Sequence, residues 1–340
     1  MKKKIAIYGA GSLGTILGAY LAKAGLDVVL INHNKAHVDE LRKNGARIIG
    51  TVNFSVPVQA CTPQEMSEGY DVVFLMTKQL DNARVVATIK PFLSPEGIIC
   101  TMQNGLPELS VSEVVGEDRT LGCAVGWGAT LHGPGVSELT SEPDRLVFSL
   151  GCMDGRTDDS AIRDVKAILE NMGPVEVDAN FMGARWSKLL VNAAFSGMSA
   201  VTGLTFGGVA DDKKARACAQ NLMKETIDVA HAQGVKIEPI QGTDVVKIFN
   251  YRGWFKKKIS FLLFPLAIKK HRSLKASMLQ DLEKGKKCEV DAINGVVCAY
   301  GRKASVPTPY NDTVVSLLHA IEDGSAKIGL QNLSKFPSHN

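Results

Sequence analysis

Six residues near the N-terminus, Gly9-Ala10-Gly11-Ser12-Leu13-Gly14, constrain the fold more than any others. They follow the apolar run Lys4–Tyr8, which reads as a buried strand. They open a helical pattern over 12–24 that Gly25 ends. In such a strand–turn–helix unit the first glycine permits the tight turn. The second lets backbone approach a pyrophosphate, and the third lets helix and strand pack closely. The helix N-terminus then meets the phosphate charge. The pattern predicts a dinucleotide held by Gly9, Ala10, Gly11, Ser12, Leu13 and Gly14.

Strand and helix patterns alternate for the next 150 residues or so. Strands are expected at 27–31, 71–76 and 97–102, then at 121–129, 135–139 and 146–150, with a closing one at 175–177. Helices are expected at 35–43 and 158–171. The run at 71–76 is apolar without alternation, as in a parallel sheet covered on both faces. Beyond about residue 178 strand patterns nearly vanish. The fold class expected is α/β: a Rossmann-like, doubly wound dinucleotide-binding domain over 1–179, then an all-helical substrate and catalytic domain over 180–340.

The end of the second strand bears on which dinucleotide. An NAD enzyme often places Asp or Glu there, to hold the ribose 2′-hydroxyl. Here the chain reads Ile31-Asn32-His33-Asn34-Lys35, with no acid. His33 and Lys35 therefore favour a 2′-phosphate, hence NADPH, with NAD left open. Lys78 and Asn104 follow two further strands, at the strand ends where open α/β sheets place ligands. Lys78 is expected to meet cofactor phosphate or ribose, and Asn104 the nicotinamide ribose and the substrate edge.

Lys188 stands in an otherwise apolar stretch, Trp186 to Ala194. A lysine among buried residues is costly unless its charge has a use or a partner. On a helix Lys188, Asn192 and Ser196 recur at spacing four and share a face. Further polar sets follow at Ser277-Met278-Leu279-Gln280-Asp281 and at Glu289-Val290-Asp291-Ala292-Ile293-Asn294-Gly295.

With these residues the chain resembles the ketopantoate reductase (2-dehydropantoate 2-reductase) family. The resemblance runs through the GAGSLG motif, Thr77-Lys78, Gln103-Asn104-Gly105, Lys188-x-x-x-Asn192 and the two polar sets, to Pro307-Thr308-Pro309-Tyr310-Asn311. It implies reduction of ketopantoate to D-pantoate with NADPH, in pantothenate and coenzyme A synthesis. It implies Lys188 as general acid and Glu289 as its partner, also contacting substrate. Asn192 and Ser277 would bind the substrate's carboxylate and hydroxyl ends, and Asn104 would bridge cofactor and substrate. Hydride addition builds negative charge on oxygen, and a nearby ammonium stabilises that charge and supplies the proton. Burial would lower the lysine's pKa and a carboxylate would raise it.

The family often has arginine near His33 and asparagine where Ser196 stands. These departures keep a second reading open: a D-2-hydroxyacid dehydrogenase of the same fold, acting on another branched 2-oxo acid with NADH. A non-catalytic, cofactor-sensing protein is a third reading, opposed by the presence of Lys188, Asn192 and Glu289 together.

Composition excludes other classes. A net charge of +4 over 340 residues is too diffuse to argue for nucleic acid, but suits a small anionic 2-oxo acid. The seven cysteines are odd in number and form no CxxC pair, so neither a disulfide framework nor a metal site is expected. That usage fits a reducing cytoplasm. The start, Met1-Lys2-Lys3-Lys4, superficially resembles a signal peptide, but Gly9, Gly11, Gly14 and Gly18 interrupt the apolar stretch behind it. No transmembrane segment is expected. A homodimer is compatible with these features. The segment 253–272 pairs an apolar run with basic ends. It reads as a core helix with solvated ends, with a lid, a subunit contact or an interfacial anchor as alternatives.

Overall fold

The structure is a computed structural model and describes residues 3–240, 243–268 and 271–337. The chain divides into two compact units, Met1–Phe181 and Met182–Asn340.

The first unit is built on an eight-stranded sheet. Its strands are β1 (Lys4–Tyr8), β2 (Asp27–Ile31), β5 (Gln59–Cys61), β6 (Tyr70–Leu75), β7 (Leu93–Thr101), β8 (Thr120–Val125), β11 (Phe148–Gly151) and β12 (Val175–Val177). They lie in the order β12-β11-β8-β7-β6-β1-β2-β5. All neighbours run parallel except β8 and β11.

Both faces of this sheet are covered, which explains the unalternated apolar strands. Ile5 and Ile7 of β1 join Val72 and Phe74 in one core with Ile16 and Leu17 of α1 (Ser12–Lys23) and Ile162 and Val165 of α5 (Ser160–Leu169). The alternate residues Ala6 and Tyr8 join Val73 and Leu75 in a second core. That core is closed by Val86 of α3 (Asn82–Ile89) and Val111 of α4 (Pro107–Val115). Helix α2 (Lys35–Asn44) follows β2.

A second sheet is the main departure from the expected single one. It has the order β4-β3-β10-β9, from β3 (Ala46–Gly50), β4 (Phe54–Val56), β9 (Ala129–Gly133) and β10 (Val136–Leu139). It packs over α1, where Tyr20 meets Phe54 edge-on at 5.2 Å. The stretch expected as one strand over 121–129 is therefore two, β8 and β9, belonging to different sheets. The chain changes sheet at Gly126-Trp127-Gly128, where buried Trp127 packs edge-on against Phe148 at 6.0 Å.

The second unit is helical. It runs from α6 (Phe181–Val191) through a π turn at Asn192–Ser196 into α7 (Gly197–Thr202), α8 (Phe206–Asp211) and the long α9 (Lys213–Ala232). Then come α10 (Val245–Phe249), α11 (Trp254–Ala267), α12 (Ser277–Glu283), a second π turn at Asp291–Gly295, α13 (Val296–Lys303) and α14 (Pro309–Glu322). Among the described residues no helix is long and apolar enough to cross a membrane.

Candidate functional site

In the first unit the three fingerprint glycines meet three different constraints. Gly9 has φ +99°, and a Cβ there would lie 2.5 Å from the Thr77 backbone nitrogen. A Cβ on Gly14 would lie 2.7 Å from the Gly9 carbonyl oxygen and 3.0 Å from Ile7, so helix and strand touch there. Gly11 differs: the nearest atom to its Cβ position is the Gly9 oxygen, 4.0 Å away. The space beside Gly11 is open, as a close backbone approach by a phosphate requires. Ser12 and Leu13, both half-buried, begin α1, and Ala10 is buried. No side chain caps α1, and its first turn holds no acid, so its N–H groups and dipole favour an anion.

A buried relay holds this loop from beneath. The Gly135 N–H donates to His37 Nδ1 at 3.1 Å, so Nε2 carries the proton and donates to Thr15 Oγ1 at 3.2 Å. The Thr15 hydroxyl in turn donates to the Ala10 carbonyl at 3.2 Å. Burial holds the imidazole's pKa below its ordinary value, and the neutral form is the one that can accept from Gly135. The Asn32 amide donates to the same Ala10 carbonyl at 2.8 Å, and its oxygen accepts from the Asn34 N–H at 2.8 Å. Asn34 also caps α2 through the His37 N–H.

His33 and Lys35 are exposed beyond β2. The Lys35 ammonium pairs with Asp39 at 3.0 Å. Lys78 is exposed beyond β6, and Asn104 is half-buried beyond β7. These positions and the glycine loop share the C-terminal edge of four adjacent parallel strands, β7-β6-β1-β2. Buried amides fix that edge. Gln103 and Asn82 exchange hydrogen bonds of 2.9 and 2.8 Å, and Gln103 also donates to the Thr77 carbonyl at 2.9 Å. Gln79 donates to the Asn104 carbonyl at 2.7 Å. The sequence reading gave no role to Asn32, His37 or Asn82, and had Gln103 only as part of the Gln103-Asn104-Gly105 pattern. Gln103 offered a signal beside Asn104, whereas the relay through His37 had none.

In the second unit Lys188 and Asn192 lie on the accessible side of a helix otherwise turned inward. Ala184, Lys188, Val191 and Asn192 are half-buried, while Trp186, Ser187, Leu189, Leu190, Ala193 and Ala194 are buried. The expected spacing-four face ends at Asn192. The π turn adds backbone per turn, and Ser196 is buried rather than aligned with Lys188. Ser277 is exposed in the first turn of α12, which packs on the π turn at Asn192–Ser196 and on α7. Gly285, at φ +65°, ends the turn after α12. Glu289 is buried and stands just before the helical turn beginning at Val290. Its neighbour Cys288 has a buried thiol pushed up to about 12 by desolvation and by Glu322, so it is no nucleophile at neutral pH.

The two π turns are joined by a buried polar network that the sequence reading also missed. Asn294 donates to the Ala193 carbonyl at 3.0 Å and to Asn311 Oδ1 at 2.9 Å. Asn311 donates its amide to Glu225 at 2.8 Å. The Tyr310 and Asn311 N–H groups, at the start of α14, donate to the same carboxylate at 2.8 and 3.0 Å. Asn294 and Asn311 were visible as parts of the family pattern, but without a role. A separate concavity beside the Asp291–His319 pair is lined by none of Lys188, Asn192, Ser277 and Glu289.

Comparison with known proteins finds one family along both parts of the chain. Residues 5–152 match the family described as Ketopantoate reductase PanE/ApbA, and residues 180–322 match Ketopantoate reductase PanE/ApbA C terminal. A 2-dehydropantoate 2-reductase from Mesorhizobium japonicum is 30% identical, over 94% of this chain and 99% of that protein. One from Pyrococcus horikoshii is 28% identical, over 94% of this chain and 97% of that one. Among solved structures, a PanE/ApbA family ketopantoate reductase from Ralstonia eutropha superposes with TM-score 0.79 at 26% identity, covering 94% of this chain and 99% of its own. A D-mandelate dehydrogenase shares the fold at TM-score 0.79 and 22% identity, covering 94% of this chain and 99% of its own. With both halves matched along nearly the whole length, the chain belongs to the ketopantoate reductase family.

Proposed function

We propose that this protein reduces the C2 ketone of 2-dehydropantoate to D-pantoate with NADPH, its first unit holding the dinucleotide and its second the substrate. The observation that carries the reading is that Lys188 and Asn192 both reach the accessible side of an otherwise buried helix, in a chain of this family. The open space at Gly11, above an uncapped helix start, fits a pyrophosphate. Gly9 to Gly14 would hold that group, Lys78 and Asn104 its ribose side, and His33 and Lys35 the 2′-phosphate.

When bound, the nicotinamide supplies the hydride. Lys188 hydrogen-bonds the ketone oxygen, stabilises the charge that develops there and delivers the proton. Glu289, buried at a helix start that favours an ionised carboxylate, orients Lys188 and contacts the substrate. Asn192 and Ser277 hold the carboxylate and hydroxyl ends, and Asn104 contacts the substrate edge. Assembly as a homodimer fits the same reading, since the Staphylococcus aureus ketopantoate reductase of this fold is described as dimeric.

A second reading has its own support. Lys35 is already paired with Asp39, and no arginine stands at 33. The D-mandelate dehydrogenase that shares the fold was solved with NADH and anilino(oxo)acetate. On this reading the substrate is another branched 2-oxo acid and the cofactor NADH. Measuring kcat/KM for ketopantoate and a panel of branched 2-oxo acids, each with NADPH and NADH, separates the two. Ketopantoate with NADPH as the best pair supports the first. A better oxo acid, or a preference for NADH, supports the second.

A further inference from the structure

Helix α11 is apolar on both sides, and only one side is used by the fold. Its inner side is buried: Phe264 packs on Phe195 at 5.1 Å and on Phe249 at 5.5 Å, and Phe261 lies under the Arg216 guanidinium at 4.5 Å. The expected core helix with solvated ends is thus half right. The outer side is exposed, with Trp254 at 75%, Phe255 at 64%, Leu262 at 63% and Leu266 at 67% of full accessibility. Phe255, Ile259, Leu262 and Leu266 follow helical spacing and form one stripe, with Leu263 beside it. An unbroken apolar stripe of this size on a surface marks a binding face.

The charges around the stripe say what covers it. At 100° per residue, exposed Lys256 and Lys258 fall on its two opposite edges. From Arg252 to Lys275 the chain has eight Lys and Arg and no Asp or Glu. Lys269 and Lys270 of that set lie outside the described residues. Arg272 pairs with Asp211 and Lys275 with Glu283, which leaves Arg252, Lys256, Lys257 and Lys258 as the basic cluster at the start of the helix. A second copy of the helix packed in parallel would set the Lys256–Lys258 cluster against itself. An apolar stripe edged by lysines, with a tryptophan at one end, instead matches an anionic lipid surface, where headgroups pair with the rim and acyl chains take the stripe.

We propose that α11 docks this protein peripherally on membranes containing acidic phospholipid, with Phe255, Ile259, Leu262 and Leu266 inserted and Lys256 and Lys258 at the headgroups. Trp127 and Trp186 are buried, so among the three tryptophans Trp254 alone is placed to report such insertion.

The test is flotation of the full chain with phosphatidylcholine vesicles, with and without phosphatidylserine, alongside tryptophan emission and sedimentation velocity. Capture by the phosphatidylserine vesicles, a blue shift in emission, and release by high salt are expected. Leu262→Glu/Leu266→Glu and Lys256→Glu/Lys258→Glu should each weaken capture by about tenfold or more, with circular dichroism and ketoacid turnover unchanged. Three outcomes overturn the proposal. One is no capture by phosphatidylserine vesicles, and another is equal capture by phosphatidylcholine alone. The third is a dimer in solution that Leu262→Glu/Leu266→Glu converts to monomer, which would make a second copy the occupant.

Discussion

The Asn294 side chain donates to the Ala193 carbonyl at 3.0 Å, tying the π turn after Glu289 to the π turn that begins at Asn192. A π turn shifts carbonyls out of the regular helical ladder, and a buried carbonyl needs a partner. Asn294 supplies it for Ala193 and thereby sets the spacing between two segments that carry proposed site residues. A Cβ on Gly197 would lie 3.0 Å from the Asn294 oxygen, so the two helices meet there with little spare room.

Asn294→Ala should therefore cost about 1–3 kcal/mol, the range for orphaning a buried acceptor. It should also lower kcat more than it weakens cofactor binding, because Asn192 loses its support. Urea unfolding and steady-state kinetics measure both. A stable variant with full turnover would remove Asn294 from this role.

Glu225 gives a pH signature. Burial pushes its carboxyl up to about 7, outweighing the N–H donors of Tyr310 and Asn311 that favour the charged form. The folded state thus binds a proton that the unfolded chain, with an ordinary glutamate near 4.5, releases earlier. Between about 4.5 and about 7 the folded chain holds more protons, so this group's contribution to stability falls as pH rises. Glu225→Gln should flatten that slope in urea midpoints taken across the window. It should also lose about 1–3 kcal/mol at pH 5, since an amide turns an N–H toward a backbone donor. An unchanged slope would show that Glu225 titrates normally.

The glycine loop separates stability from binding. Gly9→Ala forces a Cβ to 2.5 Å from the Thr77 nitrogen at a φ of +99°, and should lower the melting temperature. Gly11→Ala meets only open space, and should melt as the wild type does. It should nevertheless weaken dinucleotide binding by about tenfold or more, since its methyl takes the space proposed for the phosphate. Thermal melts and cofactor fluorescence titrations distinguish the two. A Gly11→Ala protein that binds normally would place the phosphate elsewhere.

Sequence patterns carried the parts of this molecule that are periodic or that need glycine. The β1–α1 turn was readable because Gly9, Gly11 and Gly14 answer to local backbone geometry. Lys188 and Asn192 were readable because one helical turn separates them. Ser196 was misaligned because a π turn leaves no mark in hydrophobic spacing. Strands β3, β4 and β5 are short and mix polar residues such as Arg47, Ser55 and Gln59 with apolar ones, so they lack a strand pattern. The supports from His37, Gln103, Asn294 and Glu225 join residues far apart in the chain, and no local signal announces such pairs.

Turnover of Lys188→Ala with ketopantoate and NADPH decides whether Lys188 is the proton donor. If it is, kcat falls by about 10²–10⁴-fold, the range for a positioned acid, while NADPH binds as tightly as in the wild type. A Lys188→Ala protein with wild-type kcat would remove Lys188 from the proton transfer.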